Sequence, residues 1–222
     1  MARLLSIAAP ANGSGKTSLI VTLLRANPGV FTALKASTVY RDGRHCPRTG
    51  SGCACRRLEG DYTVITDPGV IGQPGTDTGR MKEAGAVRTL WSLARPGSHA
   101  ELWSHLSRAV LGDHEPVLCE GTGIIDLARP ESIVMVVRPG PSRDRWKAGT
   151  WSLMERASLV VVNAAPGEAP GETVPARDLA GEIRARTATP VIVEDVTRPL
   201  DLWRSSTLRD LCARLAPVRP GS

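Results

Sequence analysis

A chain of 222 residues is long enough for one α/β domain to bury about 70–75 % of the surface its unfolded form would expose, so neither a disulfide nor a metal is needed merely to supply a core. A hydrophobic fraction of 41 % with 23 % charged residues excludes a disordered or fibrous chain, in spite of an aromatic share of only 4 %. The formal charge of +6, from 28 Lys and Arg against 22 Asp and Glu, suits a phosphate-rich small molecule; with no basic run beyond Arg56-Arg57 and no nucleic-acid-binding module, nucleic acid is not expected as a partner.

Leu4 to Ala8 reads as a buried strand that runs directly into a glycine-rich turn, and Thr17 to Arg25 carries a helical stripe at 19, 20, 23 and 24. Val30 to Lys35 is a second strand. Residues 36–60 lack periodicity and read as a long loop or insertion rich in Gly, Arg, Cys and Pro, of a length that in a compact domain is usually functional or disordered. Tyr62 to Thr66 returns to strand character, the segment Asp67 to Gly79 is rich in turn residues, and a helix is expected from about Arg80 to Arg88. Thr89 to Ala94 could continue that helix or form a short strand, because the run is too short for periodicity to arbitrate. Ser98 to Leu111 looks helical, with Ser98 as N-cap and Glu101 completing a capping box.

Pro116–Cys119, Ser132–Val137, Leu159–Val162 and Pro190–Val193 are β-branched runs bounded by Gly, Pro or polar residues, with helices expected at about 142–155, 176–186 and 205–215. Strands that alternate with helices and are apolar on both faces specify a mostly parallel sheet covered on both sides. The expected architecture is a three-layer α/β fold of about seven strands in a single domain, residues 1–216, with a mobile loop at 164–175 and a frayed tail at 217–222. The N-terminus lacks the long apolar core and cleavage site of a signal peptide, and no later apolar run approaches the ~20 residues of a membrane helix, so the cytoplasm is the expected compartment.

The segment Ala9-Pro10-Ala11-Asn12-Gly13-Ser14-Gly15-Lys16-Thr17-Ser18 sits between the first strand and the first helix, where a P-loop must sit. Small residues let the backbone wrap so that successive N–H groups face phosphate oxygens, and the helix N-terminus adds its positive dipole. Asn12, Gly13, Ser14, Gly15, Lys16, Thr17 and Ser18 are therefore the expected phosphate-binding residues. Lys16 would reach the terminal phosphates, the Thr17 hydroxyl would hold Mg²⁺, and Ser18 would bond a more distal phosphate. Pro10 stands where the G-x-x-x-x-G-K-[ST] pattern has glycine; with φ near −65° and no N–H, it can serve only if that amide is not a phosphate donor. After Pro116-Val117-Leu118 comes Cys119-Glu120-Gly121-Thr122-Gly123, an apolar strand ending in an acidic residue that would lie beside the cradle, close enough to bind Mg²⁺ directly or through water.

Pro74-Gly75-Thr76-Asp77-Thr78-Gly79-Arg80-Met81-Lys82-Glu83-Ala84-Gly85-Ala86 resembles the signature of the molybdopterin-guanine dinucleotide biosynthesis protein B (MobB) family, which pairs a glycine, an Asp-Ser or Asp-Thr and an Arg with a downstream Ala-Gly-Ala. Glu120-Gly121 looks like that family's Glu-Gly. Glu120-Gly-Thr-Gly is also similar to a run in dethiobiotin synthetase, which with the metallochaperone GTPases belongs to the same P-loop class. The resemblance implies a dimerising nucleotide-binding protein serving the assembly of a metal cofactor. It implies too that Asp77 acts near Mg²⁺ and the γ-phosphate, and that Lys35 is the lysine ending the second strand. The family's following histidine is Ala36 here. Lys16, Asp77 and Glu120 are thus the candidate catalytic residues, and Thr17, Asp77 and Glu120 the candidate Mg²⁺ ligands.

Leu159-Val160-Val161-Val162-Asn163 resembles the strand that carries a guanine-reading Asn-Lys-x-Asp motif, but Ala164-Ala165-Pro166 follows. Without the Asp, GTP and ATP stay equally open; Asn163 could touch a base or cap the strand end.

Five cysteines without a secretion signal argue for free thiols or metal ligands rather than a disulfide framework. His45, Cys46, Cys53 and Cys55 crowd one irregular segment, where Zn²⁺ or an iron–sulfur cluster would neutralise the thiolates and give a loop with few apolar residues a shape. A redox-sensing thiol set, or cysteines in a mobile loop, is the alternative. Cys119 and Cys212 read as small core hydrophobes, and His99, His105 and His114 as solvated. Three functions fit: a slow Mg²⁺-dependent NTPase assisting metal or metal-cofactor assembly, with a metalloenzyme as possible partner; an ATP-dependent ligase or kinase of a small molecule, its acceptor bound at 121–123; or a non-catalytic nucleotide-gated adaptor.

Overall fold

β1 (Arg3–Ala8) is apolar on both sides because both of its faces are covered: Leu5 and Ile7 turn to one core, and Leu4 and Ala8 to the cores of the opposite face. The computed structural model describes residues 1–40, 57–140, 143–164 and 175–216. The chain turns from β1 through the glycine loop into α1 (Lys16–Ala26), which buries Leu19, Ile20, Leu23 and Leu24, the stripe expected from spacing. Around them β2 (Thr32–Thr38), β4 (Thr89–Ala94), β5 (Pro116–Glu120), β6 (Ser132–Val137), β7 (Leu159–Asn163) and β8 (Val191–Glu194) run parallel to β1, and β3 (Tyr62–Ile65) runs antiparallel at one edge. The order across the sheet is β3-β4-β2-β5-β1-β6-β7-β8.

Three layers result. α1, α3 (Asp77–Glu83) and α8 (Thr207–Leu215) pack on one face through Leu19, Leu23, Met81, Leu208 and Leu211. α4 (His99–His105), α6 (Thr150–Glu155) and α7 (Ala176–Arg186) cover the other through Leu102, Met154, Leu179 and Ile183. The chain leaves β1 toward β2 on one side and later returns as β6 on the other, so the crevice at the C-terminal end of β1 is a topological switch point, where open α/β sheets bind ligands. Among the described residues no helix is long and apolar enough to cross a membrane.

The sheet has eight strands rather than about seven; the addition is Thr89–Ala94, which becomes a strand because β2 and β3 pair with it on either side. The same pairing draws Ala36, Ser37 and Thr38 into β2, although they read as the start of the irregular segment. Thr38 and Tyr62 are both in register with Ala94, so the chain leaves β2 and enters β3 across a single strand. α3 starts at Asp77 and ends at Glu83, earlier at both ends than expected, because the Thr76 hydroxyl accepts from Gly79 N and Gly85 follows at φ 96. The helix from Ser98 is α4 followed by a π-helical turn, Leu106–Val110, and Ser98 makes no side-chain cap bond, so the capping box does not form. The 142–155 helix is shorter, a 3₁₀ turn at Arg143–Arg145 and then α6. Single helical turns at Pro68–Ile71 (α2) and Ile125–Ala128 (α5) are too short to announce themselves by periodicity.

Candidate functional site

Gly13 and Gly15 adopt φ 74 and 104, which lets the backbone wrap before α1 begins at Lys16. The loop is braced from behind. Asn163, at the end of β7 and 4 % exposed, donates through Nδ2 to the Ser14 carbonyl at 3.2 Å and accepts through Oδ1 from Val196 N at 3.3 Å. A side chain on Gly15 would stand 2.6 Å from that same Nδ2. Ser14 is itself buried and donates its hydroxyl to the Ala11 carbonyl at 3.0 Å. Asn12 and Gly13 form the exposed tip.

Lys16 folds back toward the Ala11 carbonyl at 3.5 Å. Burial pulls its pKa down, Lys147 and Lys35 push the same way, and Glu120 and Asp77 oppose them. Thr17 Oγ1 donates to Glu120 Oε2 at 2.8 Å. Lys35, in register with Glu120 on the adjoining strand, donates to Glu120 Oε1 at 3.1 Å and to Asp77 Oδ2 at 2.6 Å. Burial opposes the charge on Lys35, yet the two carboxylates together hold its pKa above the ordinary value. Arg80, one turn into α3, donates to Ser18 Oγ at 3.3 Å. Lys16, Thr17, Asp77 and Glu120, expected to act together, are therefore brought to one place from α1, α3 and β5.

The donors that face the loop, a threonine hydroxyl and carboxylates, are hard oxygen ligands of the kind Mg²⁺ takes when phosphate and water complete its shell. Among the described residues no group of three or more His, Cys, Asp or Glu is arranged to hold a metal ion by itself. His45, Cys46, Cys53 and Cys55 lie outside the described residues. Cys119 and Cys212 are buried free thiols, pushed up to about 12 by burial.

No family model matches the sequence, and no curated protein sequence matches it. Among the solved structures similar in chain path are the following two. A ParA family ATPase from Chlorobium tepidum TLS is 12 % identical, with 96 % of each chain covered and a TM-score of 0.41. LpxK from Aquifex aeolicus, in complex with ATP, is 11 % identical over 92 % of this chain and 74 % of that one, also with a TM-score of 0.41.

Two residues that the sequence did not single out as solitary signals belong to this neighbourhood. Arg80 was legible only as one letter of a family-like run, and Lys147 not at all, since its place beside the loop depends on the β6–α6 connection. His99 also departs from expectation. It is half-buried, its Nε2 lies 3.0 Å from Thr38 Oγ1 beside Gly123, and burial lowers its pKa. His105 packs edge-on against Tyr62, with ring centroids 5.7 Å apart.

Proposed function

We propose that the chain binds a nucleoside triphosphate in the loop Asn12–Ser18 and hydrolyses it slowly with Mg²⁺. The observation that carries this reading is the meeting of Lys16, Thr17, Lys35, Asp77 and Glu120 at the C-terminal end of the central strands. Lys16 neutralises the terminal phosphates. Thr17, with Glu120 and Asp77 close by, holds the metal, which when bound offsets phosphate charge. Glu120 or Asp77 orients the attacking water, and Lys35 holds both carboxylates in place by its hydrogen bonds until substrate arrives. Asn163 holds the loop rather than the base in this reading, which leaves ATP and GTP both acceptable.

The finer reading follows the MobB resemblance: a homodimer that couples nucleotide turnover to metal or metal-cofactor assembly, with His45, Cys46, Cys53 and Cys55 holding Zn²⁺ or an iron–sulfur cluster. One observation favours the second reading, phosphorylation or ligation of a small acceptor. His99, its pKa lowered, lies against Thr38 and Gly123, next to the strand end that carries Glu120.

The deciding experiment titrates the protein with ATP and GTP in the presence of Mg²⁺ and repeats the titration on Lys16→Ala. Binding by the parent, lost in a variant with unchanged circular dichroism, is the expected result. Equal affinity in the folded variant overturns the assignment of the loop.

A further inference from the structure

Side chains from Arg143 to Trp151 and from α7 lock one another. The Arg143 guanidinium lies over the Trp146 ring at 4.7 Å, Trp146 meets Trp151 at 5.4 Å between centroids, and the Arg186 guanidinium lies over Trp151 at 4.6 Å. Glu182 closes the ring, accepting from Arg143 Nη2 at 2.5 Å and facing Arg186 at 3.9 Å. Cation–π contacts and the Glu182 carboxylate add to the packing of Trp146 and Trp151 against the core beneath them.

Lys147 sits inside this device. Its N–H donates to the Pro10 carbonyl at 3.0 Å, and its own carbonyl accepts from Thr150 N at 3.2 Å and from Thr150 Oγ1 at 2.7 Å. The backbone is thus pinned to the first turn of the glycine loop while the side chain remains exposed. Among the described residues no carboxylate pairs with Lys147. Asp77 and Glu120 are taken by Lys35, and the charge of Lys147 acts on Lys16. Like charges on one side of a loop disfavour each other, and an anion bound there offsets that cost. Pro10, moreover, brings no N–H to the cradle, and Lys147 stands on that side of the loop.

We propose that Lys147 is a second phosphate-binding cation of this site, reaching the terminal phosphates of the bound triphosphate from the side of Pro10. The proposal rests on the reading of the loop as a triphosphate cradle. The ring of Arg143, Trp146, Trp151, Arg186 and Glu182 then serves to hold Lys147 in place, so that little side-chain and backbone freedom is lost when phosphate binds.

The test is calorimetric titration of the full chain with Mg²⁺-tripolyphosphate and with Mg²⁺-ATP, for the parent, Lys147→Ala, Lys147→Gln and Lys16→Ala. Each Lys147 variant is expected to lose about tenfold in affinity for both ligands, the scale of one charge-assisted contact, with an unchanged thermal midpoint. Unchanged affinity in the Lys147 variants, with binding lost in Lys16→Ala, overturns the proposal and leaves the cradle standing. A loss seen with ATP but not with tripolyphosphate also overturns it, because the side chain would then act away from the phosphates. A parent that binds tripolyphosphate, ATP and GTP not at all removes the cradle reading, and the proposal with it.

Discussion

Thr17 Oγ1 donates a 2.8 Å hydrogen bond to Glu120 Oε2, joining the first turn of the helix after the glycine loop to the end of the neighbouring strand. Glu120→Gln keeps an acceptor for that hydroxyl but removes the charge, and Asp77→Asn does the same on the other side of Lys35. Both variants are expected to slow hydrolysis by roughly 10²-fold or more while nucleotide affinity changes far less, since the proposed role of the charges is around the metal and the attacking water. Steady-state phosphate release beside a binding titration separates the two. Parental hydrolysis rates in both variants would leave the site without its catalytic residues.

Gly15 and Asn163 are predicted to act on the loop and not on the base. Gly15→Ala places a methyl group 2.6 Å from Asn163 Nδ2 at φ 104, a backbone region costly to residues with a Cβ by about 1–2 kcal/mol, so both stability and nucleotide binding should fall. Asn163→Ala leaves the Ser14 carbonyl and Val196 N without this partner, a loss of about 1–3 kcal/mol. The ratio of ATP to GTP affinity should not change. A ratio altered several-fold in Asn163→Ala would make Asn163 a base-reading residue after all.

Glu115 gives the stability of the chain a pH dependence. Its carboxylate is partly buried, which opposes ionisation, but Arg88, Thr32 and Gly112 N all donate to it, and together they hold its pKa below the ordinary 4.5. A carboxyl whose native pKa is depressed contributes stability that is fully present above its unfolded pKa and is lost as the pH falls through the native value. Glu115→Gln should therefore cost about 2 kcal/mol in urea unfolding at pH 7. The gap between parent and variant should be constant down to about pH 4.5 and close on further acidification. A gap independent of pH would mean that the ionised form matters little.

The cysteines should divide into two classes. Cys119 and Cys212, buried and with pKa pushed up to about 12, should resist alkylation in the native protein, so that labelling falls on Cys46, Cys53 and Cys55 alone. If those three hold a metal, anaerobically purified protein should carry a stoichiometric ion or cluster that protects them, and Cys53→Ser or Cys55→Ser should lose it. Metal-free protein with all three alkylated at once would leave only the nucleotide site.

Much of the sheet could be read from the chain because most of the parallel strands are buried on both faces and announce themselves by β-branched runs. Ser132–Val137 and the helix at 176–186 coincide with expectation for that reason and for their clean boundaries. Thr89–Ala94 could not be decided, since what makes it a strand is its pairing with β2 and β3, residues far away in sequence. The site divides similarly. The glycine loop and Glu120 carry local patterns, whereas Arg80 gains meaning by meeting Ser18, and Lys147 by meeting Pro10. His99 was misjudged because its neighbours Thr38 and Gly123 come from other strand ends.

Thr38 and Tyr62 share Ala94 as their register partner, so the segment between them begins and ends on either side of one strand, about 10 Å apart by the ordinary spacing of strands. Its footing is that of a handle fixed at two adjacent points on a rigid plate. The entropy of closing such a handle grows only with the logarithm of its length, so the plate tolerates a long excursion almost as readily as a short one. Selection could thus lengthen, shorten or re-equip the handle with new chemistry while the strands beneath keep their register. Both footings lie at the C-terminal end of the parallel strands, the end of the sheet at which Lys35 and Glu120 meet.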